Sequence, residues 1–113
     1  VSFKGGEIVH GPEQSVMTAA KSCDAALIVG YDPLSSLPFA TAQALARLPL
    51  IAIDPHRSLT TDAAEVVIPA AISGLEAGGT AVRTDGVKIE FEPIIEAGIP
   101  ADEQILKRIM EAI

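Results

Sequence analysis

The sequence predicts an α/β domain with a mainly parallel sheet, followed by a C-terminal hairpin and helix. Short continuous apolar runs alternate with helical patterns up to about residue 69, and glycine and charged residues become more frequent after it. Strands that alternate with helical connections form parallel sheets with right-handed crossovers. A length of 113 residues corresponds to one domain, so residues 1–113 are expected to fold as a single unit.

The first strand and helix of this series follow from residues 24–48. The continuous apolar run DAALIVG at residues 24–30 is typical of a strand buried on both faces. Apolar residues then recur at helical spacing, with Ser36 as the expected N-cap and Pro38 in the first turn. The expected apolar face consists of Leu37, Ala40, Ala44, Leu45 and Leu48. An earlier helix is predicted from Pro12 to Ala20.

Two further strands complete the predicted sheet. Pro49 ends the helix, because proline cannot continue it. The short apolar runs LIAID at residues 50–54 and EVVIP at residues 65–69 predict the second and third strands. The polar segment HRSLTTD separates them.

The sequence of the C-terminal third of the chain predicts a hairpin followed by a helix. Asp85 and Gly86 supply a hairpin turn, and we expect the hairpin to extend or flank the sheet. Its strand residues are Val82, Val87, Ile89 and Phe91. Acidic side chains at Asp102 and Glu103 favour the first turn of the helix that follows. The apolar positions of that helix are Ile105, Leu106, Ile109, Met110 and Ile113.

Composition excludes several classes of partner and site. Eight basic and 15 acidic residues give a net charge of −7, and aromatic residues make up 4% with no tryptophan. Nucleic-acid binding needs a positive surface and stacking side chains, so no nucleic-acid partner is expected. One cysteine and two histidines are too few for a zinc or iron–sulfur site. Without a long apolar run or a signal peptide, the sequence predicts a soluble, cytoplasmic protein with no membrane partner.

The predicted ligand site lies where the parallel strands end. Ligands of open parallel sheets bind outside the carboxyl ends of the strands, where loops and helix N-termini converge. Gly30, Asp32 and Pro33 follow the first strand. Asp54 closes the second strand, and a glycine-rich loop at residues 72–80 follows the third. An acidic residue at the position of Asp54 often binds ribose hydroxyls, whereas the missing G-x-G-x-x-G turn argues against a nicotinamide or flavin dinucleotide.

Each residue near the first two strands also has a purely structural interpretation. Gly30 can simply end a strand, and Pro33 can simply stiffen a turn. Asp54 can initiate a turn or cap a following helix.

The residues of the loop before the hairpin can likewise be either ligand-binding or purely structural. Glu76 is either a solvated loop carboxylate or an acceptor for a ligand amine. Gly78, Gly79 and Thr80 form either a nest of N–H groups for an anion or a bend. No nucleophile motif surrounds a serine, and neither histidine stands at a spacing typical of a catalytic base. We therefore assign no catalytic residue and no metal ligand.

Taken together, the motifs of residues 22–92 resemble the third domain of the molybdopterin oxidoreductase superfamily, which includes formate dehydrogenases and periplasmic nitrate reductases. That family shows a G-x-D/N-P turn, an acidic strand end, a threonine-rich segment before A-D-V-V-L-P, and an E-x-x-G-T stretch. Here Thr60 and Thr61 precede residues 64–69. The other matching positions are Gly30, Asp32, Pro33, Asp54, Glu76, Gly79 and Thr80.

The hairpin sequence makes the resemblance more specific, because it matches one branch of the superfamily. The run GTAVRTDGVKI is similar to that of the B-type subunit of formylmethanofuran dehydrogenases, with Arg83 where other branches usually carry Asn and Val87 where they carry Arg. The resemblance implies a Rossmann-like, three-layer domain. It also implies an enzyme that reduces carbon dioxide to formylmethanofuran, or catalyses the reverse, at molybdenum or tungsten held by two molybdopterin guanine dinucleotides.

For this chain the resemblance implies contact with one guanosine diphosphate end of that cofactor. A carboxylate suits guanine N–H or ribose O–H donors. The implied cofactor-binding residues are Gly30, Asp32, Pro33, Asp54, Glu76, Gly79 and Thr80. Catalysis would reside elsewhere in the full polypeptide, so the isolated chain is expected to be inactive and to carry no cofactor. Its expected partners are the rest of the B-type subunit and the other subunits of the enzyme.

Some features depart from this family and leave alternatives open. The chain lacks the cysteines for an iron–sulfur cluster, Cys23 does not match the metal-ligand position, and Ala77 stands where some relatives carry lysine. The net charge of −7 also suits a non-catalytic interaction or scaffold domain that keeps the fold without the cofactor. A free-standing nucleotide- or thiamine-diphosphate-binding domain is a third possibility. The start at Val1 rather than Met fits a processed product or a piece of a longer protein.

Overall fold

The computed structural model describes residues 2–4, 7–9 and 11–113. The strands are β1 (Ser2–Lys4), β2 (Glu7–Val9), β3 (Ala26–Val29), β4 (Leu50–Ile53), β5 (Val66–Ile68), β6 (Gly79–Val82) and β7 (Lys88–Phe91). The α-helices are α1 (Val16–Ala19), α2 (Pro33–Ser36), α3 (Phe39–Leu45), α4 (Leu59–Ala63) and α5 (Asp102–Ala112), and a 3₁₀ turn (Pro12–Gln14) precedes α1.

A three-stranded parallel sheet forms the centre of the fold, in the order β3, β4, β5. Two antiparallel pairs, β1 with β2 and β6 with β7, form separate small sheets. The predicted α/β class, with its parallel strands, hairpin and C-terminal helix, is confirmed. The hairpin does not extend the parallel sheet, because no strand of the described residues joins the two by hydrogen bonds.

The core lies on both faces of β4. On one face Ile53 is fully buried and packs with Ala70 and with Ile105 of α5. On the opposite face Leu50 and Ala52 are each 1% exposed. Three of the four residues of the central strand are therefore buried, on both faces of the sheet, whereas Ile51 is 41% exposed.

The helix after β3 is broken where one continuous helix was predicted. Leu37 is extended, with φ −89° and ψ 159°, because a residue before proline is disfavoured in the helical region. Ser36 is therefore the last residue of α2, and its prediction as an N-cap is wrong. Pro38 takes that position, and its carbonyl accepts hydrogen bonds from the N–H groups of Thr41 and Ala42.

The break also changes the face that α3 buries. Thr41, Ala42 and Leu45 are buried, whereas Ala40 is exposed. Of the predicted apolar face, only Leu45 is fully buried, and the helix begins two residues later than the pattern indicated.

The first strand of the sheet is less buried than predicted. Leu27 is 47% exposed, and its neighbours Ala26 and Ile28 are half-buried. β3 is an edge strand of the sheet, so the prediction of a strand buried on both faces is wrong.

The polar segment between β4 and β5 contains a short helix, α4, but Asp54 does not cap it, which was one of the predicted alternatives. Ser58 is the N-cap of α4: its hydroxyl accepts from the N–H of Thr61 at 3.2 Å, and its own N–H donates to the Thr61 hydroxyl at 2.7 Å. This reciprocal pair is a capping box. The Ser-x-x-Thr spacing was the local signal for it.

Candidate functional site

The carboxyl ends of β3 and β4 lie side by side, which places the loops that follow them at one edge of the sheet. Val29 pairs with Ile53 at the ends of the two strands. The N–H of Gly30 donates to the carbonyl of Ile53 at 2.9 Å. Gly30 then turns the chain with φ +59°, a left-handed conformation that favours glycine.

Asp32 connects this edge to α4. Its Oδ1 accepts from the hydroxyl of Thr60 at 2.6 Å and from the Thr60 N–H at 3.1 Å. The same hydroxyl oxygen accepts from the N–H of Leu34 at 3.3 Å, and Thr60 is 1% exposed. This network fixes the loop after β3 against the first turn of α4.

The network also controls the ionisation of Asp32. The Thr60 hydroxyl makes the largest contribution to lowering the pKa of Asp32 below its ordinary value; partial burial opposes this shift, and Ser35 adds to it. Asp32 is therefore an anion at neutral pH. Pro33, the next residue, is buried at the first position of α2, where its missing N–H has no cost.

Asp54 begins the loop after β4 and is half-buried. Its Oδ1 accepts from the N–H of His56 at 2.8 Å, which makes a local turn of the type that aspartate favours. Among the described residues, the hydrogen bonds of this carboxylate involve Oδ1 alone. Oδ2 is left as an acceptor for another group.

A pocket of about 310 Å³ opens beside Asp54. Residues 54–57 form one wall, Thr61 and Asp62 of α4 form the second, and Val67 and Pro69 form the third. Its volume is at the lower end of the range for small-ligand sites, roughly 300–1,000 Å³. It has room for part of a nucleotide and not for a whole dinucleotide.

The charges around this pocket are mixed. Arg57 Nε donates to Asp62 Oδ1 at 2.8 Å, and the Arg57 side chain is 86% exposed, so the ion pair adds little stability. Asp54 and Asp62 outnumber this single guanidinium. The pocket therefore favours a ligand that offers N–H and O–H donors to the carboxylates. Among the described residues that line it, Arg57 is the one cation for an anionic group of the ligand.

Glu76 lies in a separate loop, and its hydrogen bonds to Ile72 hold that loop together. Its Oε2 accepts from the N–H of Ile72 at 2.9 Å, and its own N–H donates to the Ile72 carbonyl at 2.7 Å. Glu76 is half-buried. The carboxylate stabilises the turn of residues 72–77.

Gly79 and Thr80 lie in β6 and pair with Phe91 and Glu90 of β7. Successive N–H groups of a strand point to opposite sides, so these residues do not form the nest that was one of the predicted alternatives. At Gly78, an added Cβ would lie 2.8 Å from the carbonyl oxygen of Phe91. Glycine is needed there for the close approach of two backbones.

The structure brings some of the predicted site residues together. Thr60 bonds to Asp32 while the next residue, Thr61, lines the pocket of Asp54, so α4 links the two carboxylates. Gly30 and Pro33 flank Asp32. The described hydrogen bonds do not join the remaining three predicted residues to this group. For those three, Glu76, Gly79 and Thr80, a place in the same site stays a prediction.

Sequence reasoning gave no role in the site to Thr60 or Asp62. Thr60 was part of a motif, but its partner Asp32 is 28 residues away, which no local pattern indicates. Within the part of the chain that the structure describes, no group of three or more metal-ligating side chains is placed to hold a metal ion. In that same part, every helix is too short or too polar to cross a bilayer.

Two curated proteins are similar to this chain, and both are named as the B-type subunit of tungsten-containing formylmethanofuran dehydrogenase 2. The protein of Methanocaldococcus jannaschii is 39% identical over 92 residues, which cover 80% of this chain and 21% of the relative. That of Methanococcus maripaludis is 37% identical over 92 residues, with the same coverage. The chain thus spans about a fifth of the length of these relatives. No family model matches it. The resemblance to the B-type subunit that the motifs indicated is confirmed.

Proposed function

We propose that this chain is a cofactor-binding segment of a formylmethanofuran dehydrogenase and contacts the guanosine diphosphate end of a molybdopterin guanine dinucleotide. One observation carries the proposal: Asp32 and Asp54 stand at the carboxyl ends of neighbouring parallel strands, next to a pocket. The similarity to the B-type subunit supports it. The remainder of that subunit and the other subunits would be its partners, in the cytoplasm.

Asp54 is the residue best placed to bind the nucleoside. Because its Oδ1 is held by the N–H of His56, the carboxylate is oriented before a ligand arrives. Its Oδ2 can then accept from a guanine N–H or a ribose hydroxyl. Preorganisation of this kind lowers the entropic cost of binding.

Asp32 acts as a positioning residue. Its Oδ1 is bound by Thr60, and this contact fixes α4, which supplies Thr61 and Asp62 to the pocket wall. Loss of the Asp32 contact would therefore change the shape of the pocket.

Arg57 is the cation available for the diphosphate. Among the described residues its hydrogen bonds involve Nε alone, so its terminal amino groups have N–H donors for phosphate oxygens. When bound, the cofactor supplies the redox chemistry of its metal. In this proposal the chain holds and orients the nucleotide end, and the reduction of carbon dioxide or its reverse takes place elsewhere in the enzyme.

Calorimetric titration of the 113-residue chain with GDP tests the proposal. We expect saturable binding with an affinity of about 1 mM or tighter. Asp54→Asn keeps an oxygen for the His56 N–H and replaces the second oxygen with a donor, so it should weaken binding about tenfold or more. Asp85→Asn is the matched control, because it makes the same charge change in the exposed hairpin turn and should leave binding unchanged.

A scaffold function without the cofactor is the second candidate. All three predicted carboxylates, Asp32, Asp54 and Glu76, already accept hydrogen bonds within the chain, as purely structural residues do. Absence of saturable heat at millimolar GDP, in the wild type and both variants alike, would favour this candidate and contradict the cofactor proposal.

A further inference from the structure

One face of the parallel sheet carries a row of three apolar side chains that the described part of the chain covers only about halfway. Leu27 pairs with Ile51, and Ile51 pairs with Val66, so the three stand side by side across β3, β4 and β5. They are 47%, 41% and 49% exposed. We call Leu27, Ile51 and Val66 the bare row.

The next row on the same face is covered. Side chains two residues apart in a strand share a face, so Val29, Ile53 and Ile68 lie next to the bare row. α5 packs over them through Ile105, with Leu106 and Ile109 beside it. α5 therefore covers the carboxyl-end half of this face and leaves the amino-end half open.

The contrast is sharpest within β4. Leu50, Ala52 and Ile53 are buried, and Ile51 between them is exposed. Parallel sheets occur almost only with both faces covered, and their strands are accordingly apolar throughout. β4 has the sequence of such a strand, so the exposure of Ile51 indicates a missing layer on this face.

The size of the bare row fits one helix. Three strands at a spacing of about 4.8 Å place its outer members about 10 Å apart, which is close to the diameter of a helix with its side chains. A second copy of this chain fits less well. Each copy carries a net charge of −7, which favours mutual repulsion, and three half-exposed residues supply little of the roughly 1,200 Å² that a stable interface buries.

The relatives indicate where that helix comes from. The aligned segment covers 21% of their length, so most of the polypeptide of the B-type subunit lies outside it. We propose that the bare row binds an amphipathic helix from that remaining polypeptide, next to α5, through an uncharged apolar stripe with helical spacing. The proposal rests on the proposed place of this chain in a formylmethanofuran dehydrogenase. It concerns assembly and not the nucleotide pocket.

Site-specific photo-crosslinking tests it. The 113-residue chain, with benzoylphenylalanine at position 51, is co-expressed with the remainder of the B-type subunit from M. jannaschii, and crosslinked peptides are identified by mass spectrometry. We expect crosslinks to one apolar helical segment of that remainder. The same probe at position 82, where Val82 is 65% exposed in the hairpin, should not reach this segment. Crosslinks only to a second copy of the chain, only to another protein, or to nothing would overturn the proposal.

A charge substitution gives an independent readout. Ile51→Lys should lower co-purification of the remaining polypeptide at least tenfold, whereas Val82→Lys should leave it unchanged. Circular dichroism verifies that each variant is folded, and Leu27→Lys, on the edge strand, replaces Ile51→Lys if that variant unfolds. Equal co-purification of folded variants and wild type would contradict the proposal.

GDP titration of the same proteins separates the two proposals. Retained GDP binding with no docking refutes only the helix contact. Docking of the expected segment without any GDP binding refutes only the cofactor function.

Discussion

Removal of the Thr60 hydroxyl tests whether the contact between Asp32 and α4 stabilises this fold. Thr60→Val keeps the shape of a side chain that is 1% exposed and removes the donor to Asp32 Oδ1 and the acceptor of the Leu34 N–H. A hydrogen bond to a charged group contributes about 1.5–3 kcal/mol, and a neutral one about 1 kcal/mol. We expect the free energy of unfolding to fall by about 2–4 kcal/mol, out of a total of roughly 5–15 kcal/mol for a domain.

Urea denaturation followed by circular dichroism measures this loss. With a slope of about 1–1.5 kcal/mol per molar urea, the midpoint should fall by about 2 M. Thr80→Val is the matched control, because Thr80 is exposed in β6, and its effect should stay within about 0.5 kcal/mol. Equal losses in the two variants would refute the role assigned to the Thr60 hydroxyl.

The pH dependence of the same difference gives a second test. Thr60 lowers the pKa of Asp32 in the folded state, so the folded chain binds the Asp32 proton more weakly than the unfolded chain. The stability from this contact is then fully present above the ordinary pKa of 3.8 and is lost as the pH falls through the lower folded value. The stability difference between wild type and Thr60→Val should shrink below about pH 4. A difference that stays constant into that acidic range would show that the Asp32 carboxylate is not the partner that matters.

Two further pairs of substitutions test the packing of α5 and of the hairpin. Ile105→Ala removes the side chain that packs on Ile53 and should cost about 2–4 kcal/mol of unfolding free energy in urea, whereas Met110→Ala on the same helix, 75% exposed, should cost less than about 0.5 kcal/mol. Gly78→Ala places a Cβ 2.8 Å from a backbone oxygen and should lower the melting temperature by several degrees, at about 1–3 kcal/mol. Gly79→Ala, whose Cβ would meet only ordinary contacts at 3.4 Å, should lower it less. Equal effects within either pair would contradict the packing described here.

Local patterns predicted the strands of the parallel sheet, the hairpin and the closing helix, but neither β1 and β2 nor the division into α2 and α3. They also did not predict where the elements lie relative to one another. The apolar runs at β3 and β4 and the spacing of α5 are local signals, so the strands and the closing helix were predictable. The extended conformation of Leu37 was also predictable in principle, because Pro38 follows it. The exposure of Leu27 was not, since it depends on which strand lies at the edge of the sheet.

The same distinction between local patterns and tertiary placement applies to the candidate site. Asp32 and Asp54 were predicted from their places at strand ends, and parallel pairing of β3 and β4 puts both at one edge. The bond between Asp32 and Thr60 joins residues 28 positions apart, so nothing in the sequence around either residue distinguishes a structural carboxylate from a ligand-binding one.

The hydrogen bonds assign different roles to the two carboxylates. Asp32 Oδ1 accepts two bonds from a buried residue, so its loss should lower stability and, through the displaced wall of the pocket, nucleotide affinity as well. Asp54 makes one bond to a neighbouring N–H through Oδ1, which asparagine preserves, so Asp54→Asn should lower affinity at nearly unchanged stability. Thr60→Val and Asp54→Asn therefore distinguish positioning from binding, because only the first should shift the urea midpoint while both weaken GDP binding.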